Sequence, residues 1–290
     1  MMQQENMNIQ WYPGHMTKTR RQIEADLKQV DAICEIVDAR IPISSRNPDI
    51  DSICGNKPRI VILNRMDLAD PAATKQWVSY FKERGIAAVP TDCKTRRGIN
   101  DFLPAVRLVL KEKIERDAAR GMKRAIRVMI VGIPNVGKST LINQISGRKG
   151  AKAENRPGVT RGKQWVTVEG GLLLLDTPGI LWPKFEDPNV GLALAFTGAV
   201  KEDVIDLEEL ACRLMELLYK RYPQTVTERY GIALPQGTPS YELLEAAAKK
   251  RGYLLARGEI HTERMAKVLV DEYRNGKLGR FTFEMPEDMP

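Results

Sequence analysis

Four short apolar runs mark the first half of the chain, and each ends in a polar loop. Residues 32–37 lead into Asp38-Ala39-Arg40, and residues 59–63 into Asn64-Arg65-Met66-Asp67. Residues 87–89 lead into Pro90-Thr91-Asp92-Cys93, and residues 127–131 into Gly132-Ile133-Pro134-Asn135-Val136-Gly137-Lys138. The runs are too uniformly apolar for a half-exposed strand, which predicts strands buried on both faces of a parallel sheet. Helix-like stretches at 71–84 and 99–117 lie between them, so the alternation predicts a doubly wound, mostly parallel α/β domain. Residues 164–168 and 172–175 read as a paired turn-back around Gly170-Gly171. Beyond residue 190 the strand signals fade. Residues 206–222, 239–252 and 262–274 carry apolar positions at helical spacing; in the first, Leu207, Leu210, Ala211, Leu214, Leu217 and Leu218 form one stripe. The pattern therefore predicts two domains: 1–190, with an N-terminal segment 1–20, and an all-α domain over 191–290.

Composition narrows this picture. Hydrophobic residues make up 43% of 290 positions, enough for an ordinary core. No apolar run approaches the ~20 residues of a membrane span, and the first ten residues are too polar for a secretory leader. The four cysteines are scattered with no C-x-x-C pair, which argues against zinc or disulfide frameworks and fits the reducing cytoplasm. The formal net charge of +8 favours polyanionic partners.

The strongest chemical signal is Gly132-Ile133-Pro134-Asn135-Val136-Gly137-Lys138-Ser139-Thr140, which fits G-x-x-x-x-G-K-[ST] after a strand and before a helix. Glycines let backbone N–H groups wrap phosphates, and the helix N-terminus adds positive potential. Lys138 is expected on the β/γ-phosphates, and Ser139 on Mg²⁺. Asp176-Thr177-Pro178-Gly179 follows the next strand. There Asp176 is expected to hold Mg²⁺ and Gly179 to offer its N–H to the γ-phosphate. Thr160, between these motifs, is the candidate switch threonine for the γ-phosphate and Mg²⁺.

Asn64-Arg65-Met66-Asp67 stands at a strand end like the N-K-x-D loop that reads guanine. Asp67 can accept from guanine N1–H and the 2-amino group, which adenine cannot satisfy. Asn64 is expected to brace the loop and meet the base. Arg65 stands where lysine is usual, so its plane can cover the base while its reach to the phosphate loop differs. Asp92 and Cys93 occupy the place of a loop offering backbone N–H to the base oxygen. Together these motifs predict GTP and GDP as ligands and GTP hydrolysis as the reaction.

The base loops precede the phosphate loop, the reverse of the common order. This order, with Trp11-Tyr12-Pro13-Gly14-His15-Met16, Asp38-Ala39-Arg40-Ile41-Pro42, Ser45-Arg46-Asn47-Pro48 and Gly179-Ile180-Leu181-Trp182-Pro183-Lys184, resembles the circularly permuted GTPases of the ribosome biogenesis GTPase A family. The resemblance covers nearly the whole chain. It implies a role in late assembly of the large ribosomal subunit, bound to the precursor particle and its ribosomal RNA, with the helical domain as the RNA- or ribosome-binding part. It implies no membrane partner, and a monomer in solution is expected. A GTPase acting on transfer RNA or at a membrane is the alternative. Ile180 stands where many GTPases carry a water-orienting Gln. The resemblance points instead to His15, with Lys138 and Thr160 completing the catalytic set, and to Asn135 as a ligand for K⁺. The other histidine, His261, reads as structural.

Overall fold

The computed structural model describes residues 24–147, 164–168, 170–177, 179, 187–200 and 206–289. They divide into two compact units: Asp187–Arg280, and the earlier residues together with 281–289. The helical unit begins at Asp187, close to the residue 191 expected for the second domain, and residues 281–289, expected within that domain, belong to the other unit. These last residues pack with the nucleotide-binding half, because their bonding partners lie there.

That half is built on six strands, β1 (Ala32–Asp38), β2 (Arg59–Asn64), β3 (Ala87–Pro90), β4 (Ile126–Val131), β5 (Gln164–Val168) and β6 (Leu172–Asp176). Their order in the sheet is β3-β2-β1-β4-β6-β5. All neighbours are parallel except β5 and β6, which are antiparallel. The β5–β6 connection turns through Gly170 and Gly171, both at positive φ, which glycine adopts without a Cβ penalty. Every residue of β1 is buried, Glu35 included, and the Glu35 carboxylate is held by Arg46 at 3.1 Å and Arg59 at 3.0 Å. A buried carboxylate without such partners would be strongly destabilising.

Helix α1 (Ile50–Cys54) is short; α2 (Pro71–Glu83) is capped by Asp70, whose carboxylate accepts from the N–H of Ala72 and Ala73. Its Trp77 and Phe81 are fully buried against Val37, Val61 and Leu63 of the sheet. Truncating either ring to Ala would cost ~3–5 kcal/mol. The helix expected over 99–117 is interrupted. A 3-10 turn precedes α3 (Phe102–Val109), and Leu110 separates it from α4 (Lys111–Ala119), which buries no residue. Helix α5 (Lys138–Ser146) follows the phosphate loop.

The second unit is helical: α6 (Pro188–Thr197), α7 (Leu207–Arg221), α8 (Pro223–Tyr230), α9 (Ser240–Lys250) and α10 (Thr262–Arg274). Leu210, Leu214 and Leu218 of the predicted stripe are buried, as are Leu243, Leu244, Leu269 and Val270 of the facing helices. Glu272 joins this core by pairing with Arg229 and accepting from the Tyr230 hydroxyl at 2.9 Å. His261 caps α10, its Nδ1 accepting from the Arg264 N–H, which is the structural role expected of it. Among the described residues, no helix is long and apolar enough to cross a membrane.

Candidate nucleotide site

The C-terminal ends of β1, β2, β3, β4 and β6 deliver Asp38, Asn64, Thr91, Gly132 and Asp176, so the parallel sheet gathers the motifs on one edge. A crevice outside the carboxyl ends of strands is where open α/β sheets bind ligands.

Asn64 joins three loops. Its Nδ2 donates to Val136 O at 2.7 Å, and its Oδ1 accepts from the Cys93 N–H at 3.1 Å and the Thr91 hydroxyl at 3.4 Å. The approach to the phosphate loop is close: a Cβ on Gly137, whose φ is +108°, would collide with Asn64 Nδ2. Gly132 is similarly enclosed, since a Cβ there would lie 2.6 Å from Ile36 O. These two positions of the motif are glycine because the neighbouring loop and strand leave no room for a side chain.

Arg65 reaches the phosphate loop after all. Its Nη2 donates to Asn135 O at 3.0 Å, and its Nε lies 3.6 Å from Asp38 Oδ2. Asp38 in turn grips Arg40 in a fork, with Nε to Oδ1 at 2.9 Å and Nη2 to Oδ2 at 2.8 Å. Burial opposes the charge on Asp38, but Arg40 and then Arg65 prevail and hold its carboxyl below the usual range. Sequence reasoning singled out Asp38-Ala39-Arg40 without giving it a task. Its position at a strand end beside the base loop is the signal that could have shown one.

Asp67 is half-buried, and its carboxylate makes no hydrogen bond or ion pair with the described residues. Its neighbours are fixed: Met66 N–H donates to Thr91 O at 3.1 Å and Leu68 N–H to Arg65 O at 2.9 Å. Asp92 and Cys93 differ from the expectation. The Asp92 N–H donates to Arg97 O, and the Cys93 N–H donates to Asn64. The Asp92 carboxylate accepts from the N–H of Lys94 and Thr95 and from the Thr95 hydroxyl. Both residues therefore brace the loop and leave neither N–H turned toward a base. Burial also pushes the Cys93 thiol up to about 12.

The phosphate end is less satisfied. Lys138 is buried, and its Nζ donates to the carbonyls of Gly132 at 3.0 Å and Ile133 at 2.7 Å. Burial brings its pKa down to about 8, against the pull of Asp176. The Asp176 carboxyl is raised by burial, partly offset by Lys138. Its Oδ1 is buried and accepts no hydrogen bond among the described residues. Gly179 lies close by, where a Cβ would come within 2.8 Å of Lys138 Nζ. An orphaned buried carboxylate oxygen beside a desolvated ammonium fits a site completed by a polyanion and a hard cation. Ser139 and Thr140 open α5 as the motif requires, and Asn135 is exposed at φ +59°. His15, Thr160 and Ile180 lie outside the described residues.

A family model described as 50S ribosome-binding GTPase matches residues 127–215. The chain is 48% identical over 284 residues to a Bacillus cereus protein named Ribosome biogenesis GTPase A, covering 97% of this chain and 95% of that one. A Thermotoga maritima protein of the same name is 33% identical over 281 residues, covering 97% and 96%. Among solved structures, GDP-bound YlqF matches at 30% identity with a TM-score of 0.66, covering 92% of this chain and all of that one. GNP-bound YlqF from T. maritima matches at 31% identity and a TM-score of 0.61, over 94% of this chain.

Proposed function

Because the chain belongs to the ribosome biogenesis GTPase A family, binding GTP and GDP and hydrolysing GTP, we propose that it serves assembly of the large ribosomal subunit in the cytoplasm. In this reading it binds the precursor particle and its ribosomal RNA in a nucleotide-dependent way and works as a monomer. The observation that carries the reading is the match over 97% of the chain to proteins named for ribosome biogenesis. The charge of +8 agrees with an RNA partner. In the helical unit, Lys249, Lys250, Arg257 and Arg264 are exposed, as are Leu254 and Leu255.

At the nucleotide site, Asp67 reads the base, Asn64 and Arg65 with Met66 hold the reading loop, and Asn135, Val136, Gly137, Lys138, Ser139 and Thr140 wrap the phosphates. Ser139, Asp176 and Thr160 would hold Mg²⁺, which supplies charge neutralisation on the β/γ-phosphates. Asn135 would hold K⁺. Lys138 stabilises charge on the transferred phosphoryl oxygens, and Gly179 N–H faces the γ-phosphate. His15 orients the attacking water, since Ile180 carries no polar atom to do so.

Co-sedimentation with purified ribosomal subunits tests the proposal. The chain is expected to run with the large subunit with a non-hydrolysable GTP analogue and to be released with GDP. Equal association with both subunits, or none in either nucleotide state, would overturn it.

A further inference from the structure

The last residues of the chain return to the base-reading end of the sheet. The Phe281 N–H donates to Leu68 O, and the Phe283 N–H donates to Arg40 O, both at 2.9 Å. Between them Thr282, fully buried, donates its hydroxyl to Ala39 O at 3.3 Å and accepts from the Asp70 N–H at 3.1 Å. The Glu284 carboxylate accepts from the N–H of Ile43 at 2.6 Å and Ser44 at 3.0 Å, while its carbonyl accepts from Trp77 Nε1 at 2.9 Å. Met289 packs on the cluster around Trp77 and Phe81. One extended segment thus ties the loop after β1, residues 39–44, to the loop after β2, residues 65–70.

Asp67 lies within the second of these loops. On its N-terminal side Asn64 is locked to the phosphate loop and to Cys93. On its C-terminal side Leu68 is tied to Phe281, and Asp70, the cap of α2, to Thr282. No strap residue belongs to the nucleotide site as described above, so the segment acts only through the loop. We infer that this C-terminal strap positions Asp67 and thereby sets the preference of the site for guanine. The inference rests on Asp67 being the base acceptor. Thr282 is its central positioning residue, since one hydroxyl joins Ala39 to Asp70.

The position of one carboxylate governs two hydrogen bonds to guanine, from N1–H and from the 2-amino group. Hypoxanthine keeps the first and lacks the second. A displaced Asp67 therefore loses discrimination between guanine and hypoxanthine nucleotides, while phosphate recognition stays. This pattern separates positioning from general support of the fold, which would weaken every ligand together.

The test uses the full chain carrying T282V, which keeps shape and removes the hydroxyl, beside T282S, which keeps the hydroxyl. Affinities for GDP, inosine diphosphate and inorganic pyrophosphate are measured by competition, with unfolding followed in parallel. T282V is expected to weaken GDP by about five- to tenfold, within the usual range of site coupling. The ratio of GDP to inosine diphosphate should fall with it, pyrophosphate should be unchanged, and T282S should recover the ratio. An unchanged ratio in folded T282V, or equal losses for all three ligands, would overturn the inference. A second measurement uses the unaltered chain, because coupling is reciprocal. GDP should slow hydrogen exchange at the Phe281 and Phe283 amides, and pyrophosphate should not. Exchange unaffected by GDP would overturn the inference even if T282V fails to fold. D67N serves as the control: if it leaves GDP affinity unchanged, the reading of Asp67 itself fails, independently of the strap.

Discussion

The two ends of the nucleotide site are built on opposite principles. At the base end, Asn64 satisfies three partners, Arg65 bridges Asp38 and Asn135, and the strap secures Leu68 and Asp70. At the phosphate end, Lys138 is desolvated to a pKa of about 8 and Asp176 keeps a buried oxygen without a partner. The first is braced by the protein around one carboxylate, Asp67, left open for the base; the second is finished by its ligand. The difference suits the chemistry. Base selectivity needs acceptors held in place before binding. Phosphoryl transfer needs charge that is fully engaged only when the phosphates arrive.

The sharpest way to break the phosphate end is Lys138→Ala. It removes the desolvated ammonium from the phosphates and should lower GTP turnover by more than about a hundredfold, read as phosphate release. Turnover retained within tenfold would place the phosphate site elsewhere. His15→Ala should follow, with a loss toward the lower end of the ~10²–10⁴-fold range for groups that position or activate water. GTP affinity should change little, and the loss should be largest with ribosomal subunits present. Normal subunit-stimulated turnover in the variant would remove His15 from the reaction.

At the base end the corresponding break is one of stability. Asp38→Ala removes the carboxylate that forks the fully buried Arg40 guanidinium and should cost about 3–5 kcal/mol in urea unfolding. The folded pKa of Asp38 is lowered, so its contribution is present above the unfolded carboxylate value and lost as pH falls through the folded one. Wild type and variant should therefore converge in stability below about pH 4. A gap that persists undiminished into strong acid would mean the loss is packing alone. The smallest expected effect is ionic: K⁺ replaced by Na⁺ at equal ionic strength should slow turnover, and Asn135→Ala should erase the difference. Equal wild-type rates in both salts would dispose of the potassium site.

Sequence reading reached the two ends unequally. Four strands were legible as short apolar runs closed by polar loops, and β5 and β6 as a pair around Gly170-Gly171; the phosphate motif was legible because its glycines are forced locally by close approach at Gly132 and Gly137. The helix Pro188–Thr197 left no stripe because it is apolar on nearly every side and buried over its last turns. The bracing of the base end left no trace either. Glu284 meets Ile43 and Ser44, and Thr282 meets Asp70, across more than two hundred residues, and no periodicity records such pairs. Asp92 and Cys93 were assigned to the base on position alone. Their N–H groups are instead taken by Arg97 and Asn64, a competition that only the folded loops reveal.

On the proposed reading, a permuted chain still assembles one guanine-selective site, with Asp67 as its reader. Competition between GTP and xanthosine triphosphate, measured for wild type and Asp67→Asn, tests it most directly. Wild type should strongly prefer GTP. In the variant an amide replaces the carboxylate and matches the 2-oxo group of xanthine, so the preference should reverse, with GTP weakened by about tenfold or more. A variant that still prefers GTP, or a wild type indifferent to the two, would contradict the account.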